Sequence, residues 1–222
     1  MDLSKVNVCI FDVNGVLIDS NLANAQAMGQ AFTDDPLMQE QIAKFYLTLT
    51  GIDRGEKIRT IQAQIIQRPF AENEFELRWE KLKILTGKSM STAPLTVDCK
   101  QILKALAKLD IIRVALSNTP LNELRQILAG KALEPLLDII RGGGNWPKTD
   151  SLNHLLDEFE FSPETCLFIG DGKGDFWAAR AAGVPFVAID PYTGEFDGEH
   201  RFNGPFANLA EWGRQEGLIS KQ

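Results

Sequence analysis

Residues 6–17 read VNVCIFDVNGVL, and this stretch decides the fold. Its first half, residues 6–11, is an apolar run rich in β-branched and aromatic residues and too short for a typical helix. Asp12, Asn14 and Gly15 follow directly, so polar groups stand where the run ends. In an open parallel sheet, ligands bind beyond the carboxyl ends of the strands. The stretch therefore predicts a buried strand that delivers a carboxylate to a binding crevice.

Four more short apolar runs predict further buried strands. They span residues 111–116, 137–140, 166–169 and 186–189. The segments between them carry apolar residues at helical spacing, and Thr119-Pro120 has the composition of a helix start. Strands that alternate with amphipathic helices predict an α/β fold with a Rossmann-like parallel sheet and helices on both faces.

The chain between the first and second strands breaks this alternation and predicts helix throughout. Four helical segments, at 22–32, 37–49, 58–66 and 75–85, are separated by glycine, proline and polar residues, including Thr86-Gly87-Lys88. We therefore expect an α/β core formed by residues 1–17 and 91–222, with an all-helical domain inserted at residues 18–90.

Composition narrows the classes of partner. The formal net charge of −7 disfavours nucleic-acid binding, because the chain lacks a basic excess to neutralise phosphates. No apolar run approaches the length of a membrane span, and the N-terminus lacks a secretory pattern. Cys9, Cys99 and Cys166 are odd in number and lack metal-ligand spacing, which indicates buried free thiols. We expect a cytoplasmic protein with no nucleic-acid or membrane partner.

Polar side chains follow four of the predicted strands. They are Asp12 and Asn14 after the first, Ser117 and Asn118 after the second, Lys148 a short distance beyond the third, and Asp171 and Asp175 after the fourth. Each alone has an ordinary explanation, since an Asp after a strand is usually a turn or cap residue and a lone Lys is usually solvated. Together they would face one crevice.

The residue types in this crevice favour phosphoryl chemistry. Carboxylates from separate loops suit Mg²⁺, which takes few protein ligands and keeps waters for substrate oxygens. Lysine and hydroxyl donors beside such a cation suit a phosphoryl group. An Asp next to both can act as a nucleophile and form an aspartyl-phosphate.

The order and spacing of these residues resemble the four motifs of the haloacid dehalogenase superfamily, in its phosphoglycolate phosphatase and β-phosphoglucomutase-like branch. The motifs run from Asp12 to Asp175 and cover most of the chain. The resemblance implies a Mg²⁺-dependent phosphatase that acts on a small phosphorylated metabolite. It also implies that the helical insertion is a cap of the family's first type. We expect the protein to be a monomer or a weak dimer.

The resemblance also assigns roles. Asp12 would attack phosphorus and bind Mg²⁺, and Asn14 would offer its backbone carbonyl to the metal. Ser117 and Lys148 would hold the transferring phosphoryl group. Asp171 and Asp175 would complete the metal site.

Substrate-binding roles fall to three other residues, Asn118 in the second motif and Gly51 and Arg54 in the insertion. The segment around Arg54 resembles the cap loop that faces the active site in the β-phosphoglucomutase-like branch. A solvated helix start explains the same residues. Lys57, which could in principle form a Schiff base, is more simply a solvated helix lysine.

Asn14 departs from the family pattern. Phosphatases of the family usually carry a second Asp there, which protonates the leaving group and later activates water. A carboxamide cannot exchange a proton in this way, and such help is typically worth about 10²–10⁴-fold per step. Three explanations stand: an engineered Asp→Asn change, a natural slow or specialised enzyme, or a binding protein that has lost catalysis. Gly172, where Ser or Thr is common, costs only a local hydrogen bond.

Other chemistries on the same fold fit less well. Dehalogenases and phosphonate-cleaving enzymes also lack the second Asp, but their first motifs resemble Tyr-Gly-Thr or Ala-Gly-Thr patterns that Asn14-Gly15-Val16 does not match. A mutase would need the missing acid. The remaining rival is a catalytically silent protein that binds phosphate or a metabolite.

Overall fold

The computed structural model describes residues 2–49, 52, 54–143, 147–189, 196 and 202–220. The chain divides into two compact units. One unit combines Met1–Asp19 with Leu95–Gln222, and the other is Ser20–Pro94.

Within the described residues, the larger unit contains one parallel sheet of six strands. The strands are β1 Val8–Phe11, β2 Ile112–Pro120, β3 Ile139–Gly143, β4 Cys166–Gly170, β5 Phe186–Ile189 and β6 Asn203–Phe206. Their order across the sheet is β3-β2-β1-β4-β5-β6, and each neighbouring pair is parallel. The predicted parallel sheet is confirmed.

The first strand lies in the interior of the sheet. Phe11 pairs in register with Ala115 of β2 on one side and with Ile169 of β4 on the other. All four β1 residues are buried, which explains why the run is apolar without alternation. The chain order reverses at β1, and ligands bind at such a switch point in open α/β sheets. Asp12 is the first residue beyond it.

The smaller unit is the helical cap. It contains α1 Asn21–Phe32, α2 Pro36–Leu47, α3 Arg54–Ile61 and α4 Glu74–Thr92, with a π-helical turn at Gln62–Ile66. Apolar residues from all four helices form its core, among them Met28, Ile42, Ile58 and Leu82.

Five helices belong to the sheet unit among the residues described. They are α5 Cys99–Lys108, α6 Leu121–Gly130, α7 Lys148–Glu158, α8 Lys173–Ala181 and α9 Leu209–Gln215. One core cluster joins the sheet residues Ile10 and Phe168 to Leu155 of α7 and Phe176 of α8. The α/β core and helical cap together confirm the predicted fold class.

Three local expectations were wrong. Strand β6 was missed, because its sequence Asn-Gly-Pro-Phe is not typical of a strand. Helix α4 continues through Gly87 instead of ending near residue 85. Strand β2 extends through Pro120, so α6 begins at Leu121, one residue later than Thr119-Pro120 predicted.

The three cysteines are buried free thiols, as predicted. Burial raises the pKa of Cys99 to about 12 and that of Cys166 to about 11, so these thiols stay protonated at neutral pH. Among the described helices, none combines the length and apolar character needed to cross a membrane.

A charged network stabilises the cap. Glu74 accepts two hydrogen bonds of 2.8 Å from Arg68, a third from the Ala71 N–H and a fourth from Arg78. Arg78 is buried, and its guanidinium lies 3.9 Å from the centroid of the Phe32 ring. The hydrogen bonds from Arg68, Ala71 and Arg78 hold the pKa of Glu74 well below its usual range.

Glu74→Gln is expected to destabilise the protein by about 2 kcal/mol, because it weakens charge-assisted hydrogen bonds and leaves the buried Arg78 without its counter-ion. The shift of the urea unfolding midpoint measures this loss. Glu40→Gln is the matched control, since Glu40 pairs with Lys44 at an exposed i,i+4 position. Its effect on the unfolding midpoint should be much smaller, because solvent screens an exposed ion pair.

The effect of Glu74 depends on pH with a defined sign. A carboxyl whose pKa is lowered on folding contributes stability above its unfolded pKa of about 4.3, and this contribution is lost as the pH falls. The difference in stability between the wild type and Glu74→Gln should therefore shrink below about pH 4. A difference that grows on acidification would contradict the assignment.

Candidate active site

Asp12 lies at the centre of the sheet's carboxyl edge. Its N–H donates to the Ile169 carbonyl of the neighbouring strand at 2.9 Å, so the backbone at Asp12 continues the ladder between β1 and β4. The residue is 6% exposed, which places a carboxylate in a largely desolvated position. A tight turn follows, in which Gly15 adopts the left-handed φ of 84° and donates to the Ile18 carbonyl.

Two hydrogen bonds from Thr96 hold this turn in place. Its hydroxyl donates to the Val16 carbonyl at 2.7 Å, and its N–H donates to the Leu17 carbonyl at 3.1 Å. Sequence reasoning missed Thr96. The available signal was its place two residues after Pro94, where the chain returns from the cap to the sheet unit.

Lys148 lies between two buried carboxylates. It is the first residue of α7, and its Nζ donates to Asp12 Oδ1 at 2.5 Å and also to Asp175 Oδ1. The three side chains are at most 9% exposed. The structure thus brings together residues from the end of β1, the start of α7 and the first turn of α8.

The charged groups of this cluster shift one another's pKa values. Burial raises the pKa of Asp12 to about 6, with Lys148 opposing the shift and Asp175 adding to it. Burial also disfavours the charged form of Lys148, but Asp12 and Asp175 outweigh that effect and raise the pKa of its ammonium above the ordinary value. The Lys148 ammonium beside Asp12 favours the ionised carboxylate, the state that a nucleophile needs.

Three carboxylates form a candidate metal centre. Each of Asp12, Asp171 and Asp175 offers an oxygen, and these atoms lie within 4.8 Å of one another. Mg²⁺ prefers such hard oxygen ligands and uses few of them. The donor set therefore fits Mg²⁺ in its chemistry and its spacing.

Asp175 is held in place by the first turn of α8. Its Oδ2 accepts the Gly172 N–H at 3.1 Å, and its own N–H donates to the Gly172 carbonyl at 3.0 Å. The side chain therefore caps the helix with one oxygen and contacts Lys148 with the other. Asp171 is half-buried just before this turn.

Ser117 and Asn118 lie at the carboxyl end of β2, the neighbour of β1. Ser117 is buried, and its Oγ accepts the Thr119 N–H at 3.1 Å. Asn118 is exposed. The pairing of β2 with β3 is irregular between Leu116 and Pro120, so the strand leaves its regular register at these two residues.

The turn after β1 and the cap unit carry the remaining sequence-predicted residues. Asn14 is half-buried in the turn after β1 and forms a bridge with Ile18. Arg54 is the first residue of α3 in the cap unit, and its role in substrate binding stays a prediction. Gly51 lies outside the described residues. Lys57 lies 4.1 Å from the centroid of the Tyr46 ring, a contact that gives this lysine a packing role.

The chain combines a parallel α/β core, an inserted helical cap and a buried carboxylate–lysine cluster at the carboxyl edge of the sheet. The profile of the haloacid dehalogenase-like hydrolases matches residues 6–183. This match covers more than half of the chain, so the protein belongs to that family. The predicted family resemblance is confirmed.

Relatives and solved structures agree with this family. The chain is 25% identical over 189 residues to a phosphoglycolate phosphatase of Haemophilus influenzae, a match covering 81% of this chain and 83% of that protein. A crystal structure of a predicted phosphoglycolate phosphatase from Haemophilus somnus superposes with a TM-score of 0.77 at 19% identity, covering 94% and 96% of the two chains. β-Phosphoglucomutase from Clostridium difficile gives 0.72 at 17% identity, with 96% of each chain covered. The structural likenesses show the shared fold, and the family and its curated relatives make this chain a phosphatase-type hydrolase.

Proposed function

We propose that the protein hydrolyses a small phosphomonoester through an aspartyl-phosphate on Asp12. The observation that carries this proposal is the buried cluster in which Lys148 contacts both Asp12 and Asp175. Asp12 is the carboxylate at the strand end that the family uses for attack on phosphorus. The lysine supplies a positive charge beside it, which suits the negative charge of a phosphoryl group.

The reaction has two steps with Asp12 at the centre of each. In the first, a carboxylate oxygen of Asp12 forms a bond to phosphorus while the bond from phosphorus to the leaving alcohol oxygen breaks. In the second, water attacks the phosphorus of the aspartyl-phosphate, releasing inorganic phosphate and restoring the carboxylate. Lys148 and Ser117 orient the phosphoryl oxygens throughout, so that the attacking and leaving oxygens stay in line.

The metal would be held by the carboxylates of Asp12, Asp171 and Asp175 and by the backbone carbonyl of Asn14. Bound Mg²⁺ supplies positive charge that offsets the charge of the phosphoryl oxygens. Lys148 alone cannot neutralise both the carboxylates and a phosphomonoester dianion, which supports the need for a cation.

Asp171→Asn is expected to raise the dissociation constant for Mg²⁺ at least tenfold, because a neutral amide oxygen replaces an anionic ligand. Calorimetric titration of the full chain with MgCl₂ measures the change. Asp157→Asn is the control, since it removes the same charge from an exposed position on α7. Equal Mg²⁺ affinity in all three proteins would remove Asp171 from the metal site.

Because position 14 carries Asn, the proposal includes slow turnover. Its carboxamide cannot donate a proton to the leaving alkoxide in the first step or accept one from water in the second. Both protons must then be exchanged with solvent or substrate. The same residue favours the second candidate function, a silent protein that binds phosphate without hydrolysing its ester.

Substrate screening separates the two candidates. The relatives named phosphoglycolate phosphatase make 2-phosphoglycolate the first ester to test, followed by other small phosphomonoesters and an aryl phosphate. The enzyme proposal expects phosphate release that requires Mg²⁺ and stops on chelation. Binding of inorganic phosphate with no release from any ester would instead support the silent binder.

A further inference from the structure

Gly170, the last residue of β4, has no room for a side chain. A Cβ atom at this position would lie 2.5 Å from Asp175 Cβ and 2.8 Å from Asp175 Cγ. Ordinary contacts between carbon atoms are about 3.5–4.0 Å. The Asp175 side chain therefore lies directly against the backbone of Gly170, in space that any other residue would fill.

This contact is one of three that fix the Asp175 carboxylate. The Gly172 N–H and the Lys148 ammonium hold its two oxygens, and the bare surface of Gly170 sets how closely it approaches the sheet. Asp175 is only 3% exposed, so its side chain has little open space to move into. A methyl group at Gly170 would displace the carboxylate itself.

Gly143, the last residue of β3, has the same property on the other side of β1. A Cβ there would lie 2.7 Å from the Cα of Asn118 and closer still to the carbonyl of that residue. Backbone atoms cannot rotate away as a flexible side chain could. The segment that carries Ser117 therefore packs against Gly143, as Asp175 packs against Gly170.

This constraint is not general among the glycines of the same unit. Gly130, at the end of α6, has nothing within 4 Å of an added Cβ and has a φ that ordinary residues adopt. Gly130 therefore provides a control position at which an added methyl group meets no other atom.

We propose that Gly170 and Gly143 are positioning residues of the active site, Gly170 for the Asp175 carboxylate that binds the metal and Gly143 for the Ser117 segment that binds the phosphoryl group. This inference rests on the function proposed above. It divides the site into a metal-binding part, which Gly170→Ala should disturb, and a phosphate-binding part, which Gly143→Ala should disturb.

Titrations of the full chain test this division. Gly170→Ala should weaken binding of Mg²⁺ alone at least tenfold. Gly143→Ala should leave Mg²⁺ affinity within twofold and weaken inorganic phosphate binding at saturating Mg²⁺ at least tenfold. Gly130→Ala should change neither constant. Circular dichroism confirms that each variant is folded.

A second variant covers the case in which Gly170→Ala does not fold. Asp175→Gly combined with Gly170→Ala removes the Asp175 Cβ that the new methyl group would meet. Folding should return while Mg²⁺ binding stays weak, because the ligand is gone. Continued unfolding of the double variant would overturn the inference, since the damage would then come from another contact.

The outcomes separate this inference from the proposed function. A wild-type protein that does not bind Mg²⁺ overturns the metal site and the inference with it. A wild-type protein that binds Mg²⁺, with equal affinity in Gly170→Ala and equal phosphate affinity in Gly143→Ala, overturns only the positioning roles. A Gly143→Ala variant that loses Mg²⁺ binding and phosphate binding together overturns the division into two parts.

Discussion

Asn14→Asp is expected to raise kcat by at least about 10²-fold with little change in substrate affinity. The substitution restores a group that can protonate the leaving oxygen and then deprotonate water. It exchanges a carboxamide for a carboxylate at nearly constant volume, and Asn14 is only half-buried, so packing should barely respond. Steady-state rates with an aryl phosphate at saturating Mg²⁺ measure the gain.

The control for this substitution is Asn153→Asp, which adds the same charge on an exposed face of α7. It should leave kcat unchanged. A silent binder that has drifted elsewhere in its site would show no rescue by Asn14→Asp. A natural enzyme adapted to Asn14 would lose activity on its own substrate. An unchanged rate with the aryl phosphate would mean that Asn14 does not limit turnover.

Asp12→Ala should reduce turnover by at least about 10³-fold, because no other described carboxylate is placed to attack at the end of β1. The fold should survive, since Lys148 keeps Asp175 as a partner. The kcat of the variant, with thermal unfolding as a check on folding, tests this expectation. Asp157→Ala, at an exposed position on α7, should keep the wild-type rate. Retention of the rate in Asp12→Ala would exclude a covalent role.

Much of the core could be predicted from the sequence because its strands are buried on both faces. Such strands are short continuous apolar runs, and residues 8–11 and 166–169 show them clearly. The convergence of Asp12, Lys148 and Asp175 followed from a simple rule. The carboxyl ends of parallel strands meet at one edge of the sheet, so the residues just beyond them come close together.

The missed elements depend on context that a local pattern does not contain. Strand β6 includes Gly204-Pro205, a poor strand sequence. It is tolerated because β6 is the edge strand among the described residues, so one side of its backbone pairs with no described strand. Gly87 resembles a helix end, but α4 continues past it to the buried Met90, which packing favours over local propensity.

The finer geometry of the site could not be predicted from the sequence for the same reason. Thr96 holds the turn after β1 across 80 positions of sequence, through backbone carbonyls that have no sequence signature. The approach of Gly170 to Asp175 depends on how closely α8 begins beside β4. Such distances follow from the packing of whole elements, and residue types alone do not specify them.

The state of Asp12 during turnover tests the central claim most directly. With an aryl phosphate the leaving group needs no acid, so the first step should be fast. The second step lacks the base that Asn14 cannot provide, so the phospho-enzyme should accumulate. We expect a burst of phenolate equal to the enzyme concentration. After an acid quench, mass spectrometry should find one added phosphoryl group on the peptide that contains Asp12. Linear release without a burst, combined with an unmodified Asp12 or a phosphoryl group on another residue, would contradict covalent catalysis at Asp12.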